Sequence, residues 1–269
     1  MVTEYTMEKV NSDLIIIGAS DASHGYVCSI LEDSLNMTAY NCGKDGRGFH
    51  YQNAMINGIL DRYSPKLILW STGVSMLSTP TEKDLNTLSD LNPWYKENQV
   101  CHDAILMKSK YENIKMFSHL YAYNSKLFYY IYRCFIPQQA LGGGYLPLYG
   151  TNPHLQQKHF KYNNNNVDTS IITTLNRTIE RCKEQGTVIC FVLTPTFTSG
   201  NYEQLQQYIV LKDLLREKEC PFVTELFNDN IILSPEYFYD VVHLNYDGAV
   251  IFTEKLSQIL KKQLVATAN

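Results

Sequence analysis

The chain has 269 residues, of which 45% are apolar and 19% charged, and its formal net charge is −4. These proportions describe a globular protein with a sizeable core and exclude a disordered chain or a coiled coil. The negative balance argues against nucleic acid as a partner, because nucleic-acid-binding proteins carry a basic face. No apolar run is long enough to predict a membrane span.

The first residues, MVTEYTMEKVNSD, are polar and lack the apolar segment of a signal peptide. Two interpretations of location are open: a cytoplasmic protein, or a cell-envelope protein whose signal or anchor lies upstream. The seven cysteines are scattered without a CxxC pair, which indicates neither a zinc ribbon nor a thioredoxin motif. The histidines show no metal-ligand spacing, so we expect no catalytic metal and no cofactor.

The first quarter of the chain alternates short apolar runs with helical segments. A continuous apolar run at 14–17 predicts a strand buried on both faces, and a helix is predicted over 21–35. A second strand is predicted at 37–41 and a third at 66–70, separated by a glycine-rich loop and a helix that ends at 63. This repeat of strand, loop and helix is typical of a doubly wound sheet.

The middle of the chain has a different composition. We interpret residues 77–165 as a helical, aromatic-rich insert within a single domain formed by the whole chain, 1–269. The stretch 111–135 is especially rich in Tyr and Phe, and no convincing strand is predicted over about 77–139. Residues 145–150 are predicted to be extended, and 163–166 form a polar loop.

The alternation resumes after the insert. Helices are predicted at 171–183, 202–217 and 244–264, and strands at 188–193 and 221–223. We therefore predict an α/β fold, a three-layer α/β/α sandwich around a five-stranded parallel sheet of the flavodoxin-like kind. Ligands of such sheets bind beyond the carboxyl ends of the strands, so the loops there are expected to converge on one face.

Three segments at this edge carry reactive residues, and the first is GASD at 18–21. Ser20 lies where the first strand ends and a helix begins. Its hydroxyl could attack a carbonyl while its own N–H, at the helix N-terminus, holds the oxyanion. The alternative is an ordinary helix cap, because Ser and Asp are both good caps.

The second segment is DVVH at 240–243, just before the last predicted helix. An Asp three residues before a His can reach the imidazole Nδ1 and orient the ring. In that arrangement Asp240 leaves Nε2 of His243 as a base toward a serine. The alternative is a surface turn in which Asp240 caps and His243 is solvated.

The third segment is NCGKDGRG at 41–48. Glycines allow a backbone to approach a ligand and present N–H groups to it. A phosphate cradle is a weaker interpretation, because no GKS or GKT follows, and a plain turn is another alternative. Arg47 in this loop could hold an anionic group of a substrate or could be solvated.

Three further residues are candidates for contact with a substrate or for a catalytic role. His24 lies one helical turn after Ser20, and we interpret it as a structural or substrate-contacting residue rather than the base. Ser23 is a weaker candidate for the nucleophile, because it would lie inside the helix. Tyr145 could form part of a carbohydrate-binding wall, since sugars stack on aromatic faces, or it could pack within a loop.

The order of these segments resembles the SGNH (GDSL-like) hydrolase family, at both ends of the chain but not in the middle. The resemblance implies that Ser20 is the nucleophile, that Asp240 and His243 complete a triad, and that the amides of Ser20 and Gly46 form the oxyanion hole. It implies a small-molecule or glycan ester as the substrate, with acetyl on a carbohydrate preferred. The opening is also similar to a divergent, envelope-associated branch from Bacteroidetes-type bacteria.

Two positions depart from the family's pattern. Ala19 replaces an Asp before the serine, which is minor because that residue is not the nucleophile. After the third strand the family usually has an Asn that donates to the oxyanion, and losing such a donor costs about 10²–10³ in rate. Ser71, Thr72 or Ser75 could substitute for it, and Ser75 is also a candidate substrate contact. Two hypotheses therefore stand beside the esterase: an O-acyltransferase with the same residues, and a catalytically weak binding protein.

Overall fold

The computed structural model describes residues 2–118, 142–159 and 166–267. Its strands are β1 (Leu14–Ile17), β2 (Ala39–Asn41), β3 (Leu67–Thr72), β4 (Lys158–His159), β5 (Val188–Leu193), β6 (Thr198–Ser199) and β7 (Phe222–Val223). Five of them form a parallel sheet in the order β2-β1-β3-β5-β7, which confirms the predicted five-stranded parallel sheet. The two short strands β4 and β6 pair separately and were not predicted.

Helices cover both faces of the five-stranded sheet. They are α1 (Val2–Glu8), α2 (Ser20–Gly25), α3 (Cys28–Leu35), α4 (Phe49–Leu60), α5 (Glu82–Thr87), α6 (Gln99–Leu106), α7 (Glu112–Lys115), α8 (Thr169–Glu184), α9 (Gln206–Glu217) and α10 (Tyr246–Thr267). Short 3₁₀ helices are Leu88–Trp94, Gly142–Gly144, Tyr202–Gln204 and Pro235–Tyr237. The result is a three-layer α/β/α sandwich.

The strands supply alternate residues to two separate cores. In β1, Leu14 and Ile16 join the core formed with α3 and α10, whereas Ile15 and Ile17 join the core formed with α4 and α8. All four side chains are buried because successive residues of a strand point to opposite faces. An uninterrupted apolar run is therefore the pattern that a sheet covered on both faces requires.

The helix predicted over 21–35 is two helices, α2 and α3, separated at Tyr26 and Val27. Both residues have extended backbone angles. Their backbone groups are satisfied by distant partners: the Val27 N–H donates to Thr253 Oγ1 at 3.1 Å, and the Tyr26 carbonyl accepts from Asn41 Nδ2 at 3.2 Å. These tertiary hydrogen bonds replace the helical ones that sequence periodicity alone would favour.

Other boundaries shift by a few residues, and some predictions fall outside the described parts. The second strand begins at Ala39 and the last helix at Tyr246, while residues 145–150 lack regular secondary structure. Up to residue 118 the predicted insert is helical, and its residues Leu88, Leu91 and Ile105 join the core beside α4. Residues 119–135 of the predicted aromatic segment 111–135, which include His119, lie outside the described residues, as do the loop residues 163–165.

No helix within the described ranges combines the length and the apolar composition that crossing a membrane requires.

We expect Gly43→Ala to destabilise the protein. A Cβ at this position would lie 2.5 Å from the Ser23 nitrogen and 2.7 Å from the Ala22 Cβ, where the loop after β2 packs on α2. Overpacking of this kind typically costs about 1–3 kcal/mol of unfolding free energy, which urea denaturation would measure. Gly73→Ala is the matched control, because nothing lies within 4 Å of its Cβ position. Equal stability of the two variants would contradict this packing argument.

Candidate active site

The predicted site segments meet at the carboxyl edge of the sheet. Ser20 directly follows β1, Ser75 lies in the loop after β3, and His243 lies just before α10. A cavity of about 510 Å³ opens at this edge. Its lining includes Ser20, Ser75 and His243.

Ser20 is the first residue of α2, so its N–H belongs to the helical turn that has no carbonyl partner within the helix. The next residue, Asp21, accepts a hydrogen bond from the Ala19 N–H at 3.1 Å and another from the Ser71 hydroxyl. The Ser71 oxygen also lies 2.6 Å from Thr194 Oγ1. Residues at the carboxyl ends of three strands, β1, β3 and β5, thereby hold the turn that carries Ser20.

His243 lies between Ser20 and Asp240. Its Nε2 is 2.7 Å from the Ser20 Oγ, and its Nδ1 is 2.9 Å from the Asp240 Oδ2. A carboxylate can only accept, so Nδ1 carries the ring proton and Nε2 accepts the proton of the serine hydroxyl. This is the donor and acceptor order of a serine, histidine and aspartate triad.

Asp240 is held by the turn to which it belongs. The backbone N–H groups of Val242 and His243 donate to its Oδ1 at 2.8 and 2.9 Å. Burial opposes ionisation of this carboxyl, but hydrogen bonds from the His243 ring and the Val242 N–H outweigh it and lower the pKa of Asp240. Asp240 is therefore ionised at neutral pH and orients the ring of His243.

The segment after the histidine anchors this turn to the rest of the fold. Asn245 donates from Nδ2 to the Glu236 carbonyl at 2.7 Å and accepts from the Gly248 N–H at 2.9 Å. Gly248 lies so close to Tyr237 that an added Cβ would be 2.1 Å from the Tyr237 carbonyl oxygen. The start of α10 thus determines where the imidazole lies.

His24 does not line the cavity but lies beside His243, with the two ring centroids 5.6 Å apart. Its Nδ1 is 2.6 Å from the Leu146 carbonyl and its Nε2 is 3.2 Å from the Asp45 Oδ2. Because both partners can only accept, the ring donates to both of them when it is protonated, and the two contacts favour the imidazolium. Burial works against the charge, but the bonds to Asp45 and Leu146 prevail and raise the pKa of His24.

Asp45 fastens the glycine-rich loop to α2. Besides His24, it accepts a hydrogen bond from the Ser23 hydroxyl at 2.5 Å. The hydrogen bond from His24 is the main reason that the pKa of Asp45 is lowered to about 2. Ser23 is buried and engaged in this contact, so its hydroxyl is not presented to the cavity.

The remaining candidates of the glycine-rich loop lie outside the cavity. Gly46 has a left-handed backbone with φ of +67°, and Gly48, not Gly46, lines the cavity. The guanidinium of Arg47 is bound to Asp90, with Nη2 at 2.5 Å and Nε at 3.1 Å from Oδ2. An ion pair within the protein therefore already engages the arginine that was considered for an anionic substrate.

Tyr145 also lies away from the cavity. It is 2% exposed and packs in the core beside α3 and α10, so its ring is not presented to a ligand. Of the residues considered in place of the Asn that the family has after the third strand, Ser71 donates to Asp21 and Thr72 donates to the Val192 carbonyl at 3.3 Å. Ser75 is exposed and lines the cavity.

Sequence analysis did not single out His50, near the start of α4. This histidine lines the cavity, is 8% exposed, and its Nε2 has no hydrogen-bond partner among the described residues. Burial lowers its pKa. No sequence signal marks it, because all of α4 is buried and the sequence does not show which of its positions face a cavity.

The described parts of the chain contain no group of three or more His, Cys, Asp or Glu side chains placed to hold a metal ion.

Comparisons with known proteins assign no family to the chain. No family model matches it, and no curated protein matches it. A solved structure described as a gut microbial diltiazem-metabolizing enzyme is similar with a TM-score of 0.30 and 14% sequence identity. The match covers 90% of this chain but only 45% of that one, so this chain spans less than half of the other protein's length. A similarity of this extent does not define a function.

We expect His50→Phe to reduce the loss of stability in mild acid. Below the ordinary histidine pKa of about 6.5, the His50 ring of the unfolded chain takes up a proton while the buried ring of the folded wild type does not. The free energy of unfolding therefore decreases as the pH is lowered. The slope due to this residue is at most about 1.4 kcal/mol per pH unit. Urea denaturation of both proteins between pH 5 and 7.5 measures it, and parallel curves would contradict the assignment.

We expect Asp45→Asn to lower the pKa of His24. The amide removes the negative partner that favours the imidazolium, while the Leu146 carbonyl remains. NMR titration of the histidine ring protons measures the change, with His154 in the same spectrum as an exposed internal reference. An unchanged titration of His24 would show that the carboxylate does not stabilise its charge.

Proposed function

We propose that this protein is a serine esterase of the SGNH type. The observation that carries the proposal is the hydrogen-bonded series Ser20, His243 and Asp240, with heavy-atom distances of 2.7 and 2.9 Å. The series lies at the mouth of a cavity, at the carboxyl edge of a parallel sheet where ligands of such folds bind. The proposal includes a single domain with an insert over about 77–165.

The proton moves along this series in two stages. As the Ser20 oxygen attacks the ester carbonyl, its proton passes to Nε2 of His243, and Asp240 stabilises the resulting imidazolium. The proton then goes to the leaving alkoxide, which departs as the alcohol and leaves an acyl group on Ser20. Water, deprotonated by His243, attacks this acyl group, and the acid is released as the serine regains its proton.

The oxyanion needs donors, and the N-terminus of α2 supplies one. The Ser20 N–H lies in the first helical turn, where the helix dipole also favours negative charge. For the second donor we propose the backbone of the glycine-rich loop: the family resemblance implies Gly46, and Gly48 is the glycine of this loop that lines the cavity. The Asp45 contacts with Ser23 and His24 hold that loop against the helix that carries the nucleophile.

The proposed reaction removes a small acyl group, acetyl in the first instance, from a carbohydrate or similar ester. The alternative functions are an O-acyltransferase, in which a sugar hydroxyl replaces water in the second stage, and a binding protein with little catalysis. The Ser20 to His243 hydrogen bond favours the catalytic functions, because a binding protein has no need of an oriented base.

Fluorophosphonate labelling tests the proposal, because this reagent reacts with activated serines. We expect one adduct, on Ser20 by peptide mass spectrometry, absent in Ser20→Ala and in His243→Ala. Asp240→Asn should slow esterase turnover by about 10²–10⁴, because general-base catalysis is lost without the oriented ring. Ser89→Ala, at a half-buried position, and His154→Ala, at an exposed one, both lie outside the cavity; they are the controls and should label normally.

The outcomes separate the three functions. Absence of an adduct on folded protein would overturn the catalytic proposals and leave the binding protein. With an adduct present, release of free acetate without an acceptor supports hydrolysis. Acetate transfer to an added glycan, at the expense of free acetate, supports the transferase.

A further inference from the structure

The cavity beside Ser20 is much larger than an acetyl group. Its volume of about 510 Å³ lies within the range of about 300–1,000 Å³ typical of sites that enclose drug-sized ligands. An acetyl group has only three non-hydrogen atoms and would leave most of this space empty. Either the acyl group or the alcohol of the natural ester therefore has a bulky part.

The walls show which chemistry suits that bulky part. Apolar side chains from the sheet edge, α5, the following 3₁₀ helix, α8 and the loop after β7 line the cavity. They are Val74, Met76, Leu85, Leu88, Ile171 and Phe227. Hydroxyl groups of serines and threonines make up most of the polar remainder.

Charge in the walls is sparse and negative. No lysine or arginine is among the described lining residues, and the carboxylates are Asp21 and Asp84. Both are engaged within the protein: Asp21 by Ser71, and Asp84 by the backbone and hydroxyl of Thr81 at 2.9 and 2.7 Å. An anionic ligand would meet no cation here and would lose its hydration, which is unfavourable.

We propose that the substrate is an uncharged ester with a bulky, predominantly apolar group on one side of the scissile bond, and that this group occupies the cavity. The inference rests on the proposed function, because it takes Ser20 as the reacting residue. It narrows that function, since a simple acetyl ester of a highly polar sugar would leave the apolar walls without a partner.

Two series of esters test the proposal and identify the side that enters. The acyl series is 4-nitrophenyl acetate, butyrate and hexanoate. The alcohol series is ethyl, butyl and hexyl acetate, whose hydrolysis is measured by the acid released. We divide kcat/KM for each ester by its rate constant for alkaline hydrolysis without enzyme. In one of the two series this ratio should rise by up to about fourfold per buried methylene. The 4-nitrophenyl monoester of adipic acid, as long as the hexanoate but anionic, should react at least about tenfold more slowly than the hexanoate.

Gly73→Leu tests whether the bulky group of the ester binds in this cavity. Gly73 lines the cavity, has an ordinary φ, and has nothing within 4 Å of its Cβ position, so a leucine can enter the open space. We expect the ratio of kcat/KM for the preferred long ester to that for the shortest ester to fall by about tenfold or more. Gly142→Leu is the matched control, with the same backbone freedom but outside the cavity, and should keep the wild-type ratio.

The results distinguish failure of this inference from failure of the proposed function. A His243-dependent adduct on Ser20 with flat profiles in both series would overturn the inference and leave the esterase standing. A rising profile that Gly73→Leu leaves unchanged would also overturn it, because the bulky group would then bind elsewhere. No adduct and no hydrolysis of any ester would overturn the esterase and the inference together.

Discussion

The arrangement of the site depends on the parallel pairing of β1, β3 and β5 between two layers of helices. Because these strands run in the same direction, their carboxyl ends share one edge, and the loops that follow them meet there. Ser20 lies in the turn after β1, and Ser71 lies near the carboxyl end of the adjacent strand β3. His243 lies 223 residues after Ser20, yet its ring is at hydrogen-bond distance from the serine.

The site is stiff because each reactive group is tied to backbone that is itself fixed. Asp240 accepts a hydrogen bond from the backbone N–H of His243 in its own turn, and Asn245 fixes the start of the helix that follows. On the other side, Asp21 links the serine turn to Ser71. Such supporting contacts keep a nucleophile and its base aligned, and a displacement of about 1 Å can cost 10²-fold in rate.

Near the site, the protein shifts the pKa values of His24 and His50 in opposite directions. His24 has acceptors on both ring nitrogens, so the protein stabilises its charged form. Within the described ranges His50 has no partner for Nε2, and it is 8% exposed, so burial favours its neutral form. The residue type is the same, and the difference arises from the neighbours that the fold supplies.

The sequence by itself determined the alternation of strands and helices, because short apolar runs closed by a glycine or a proline, such as 14–17 and 188–193, indicate strands buried on both faces. It also singled out Ser20, Asp240 and His243 as candidates, since local spacing shows that Asp240 can reach His243. Only the tertiary structure decided the break at Tyr26, the distance from His243 to Ser20, the capture of Arg47 by Asp90 and the cavity with His50. Those features depend on contacts between residues far apart in the chain, which local periodicity and spacing do not encode.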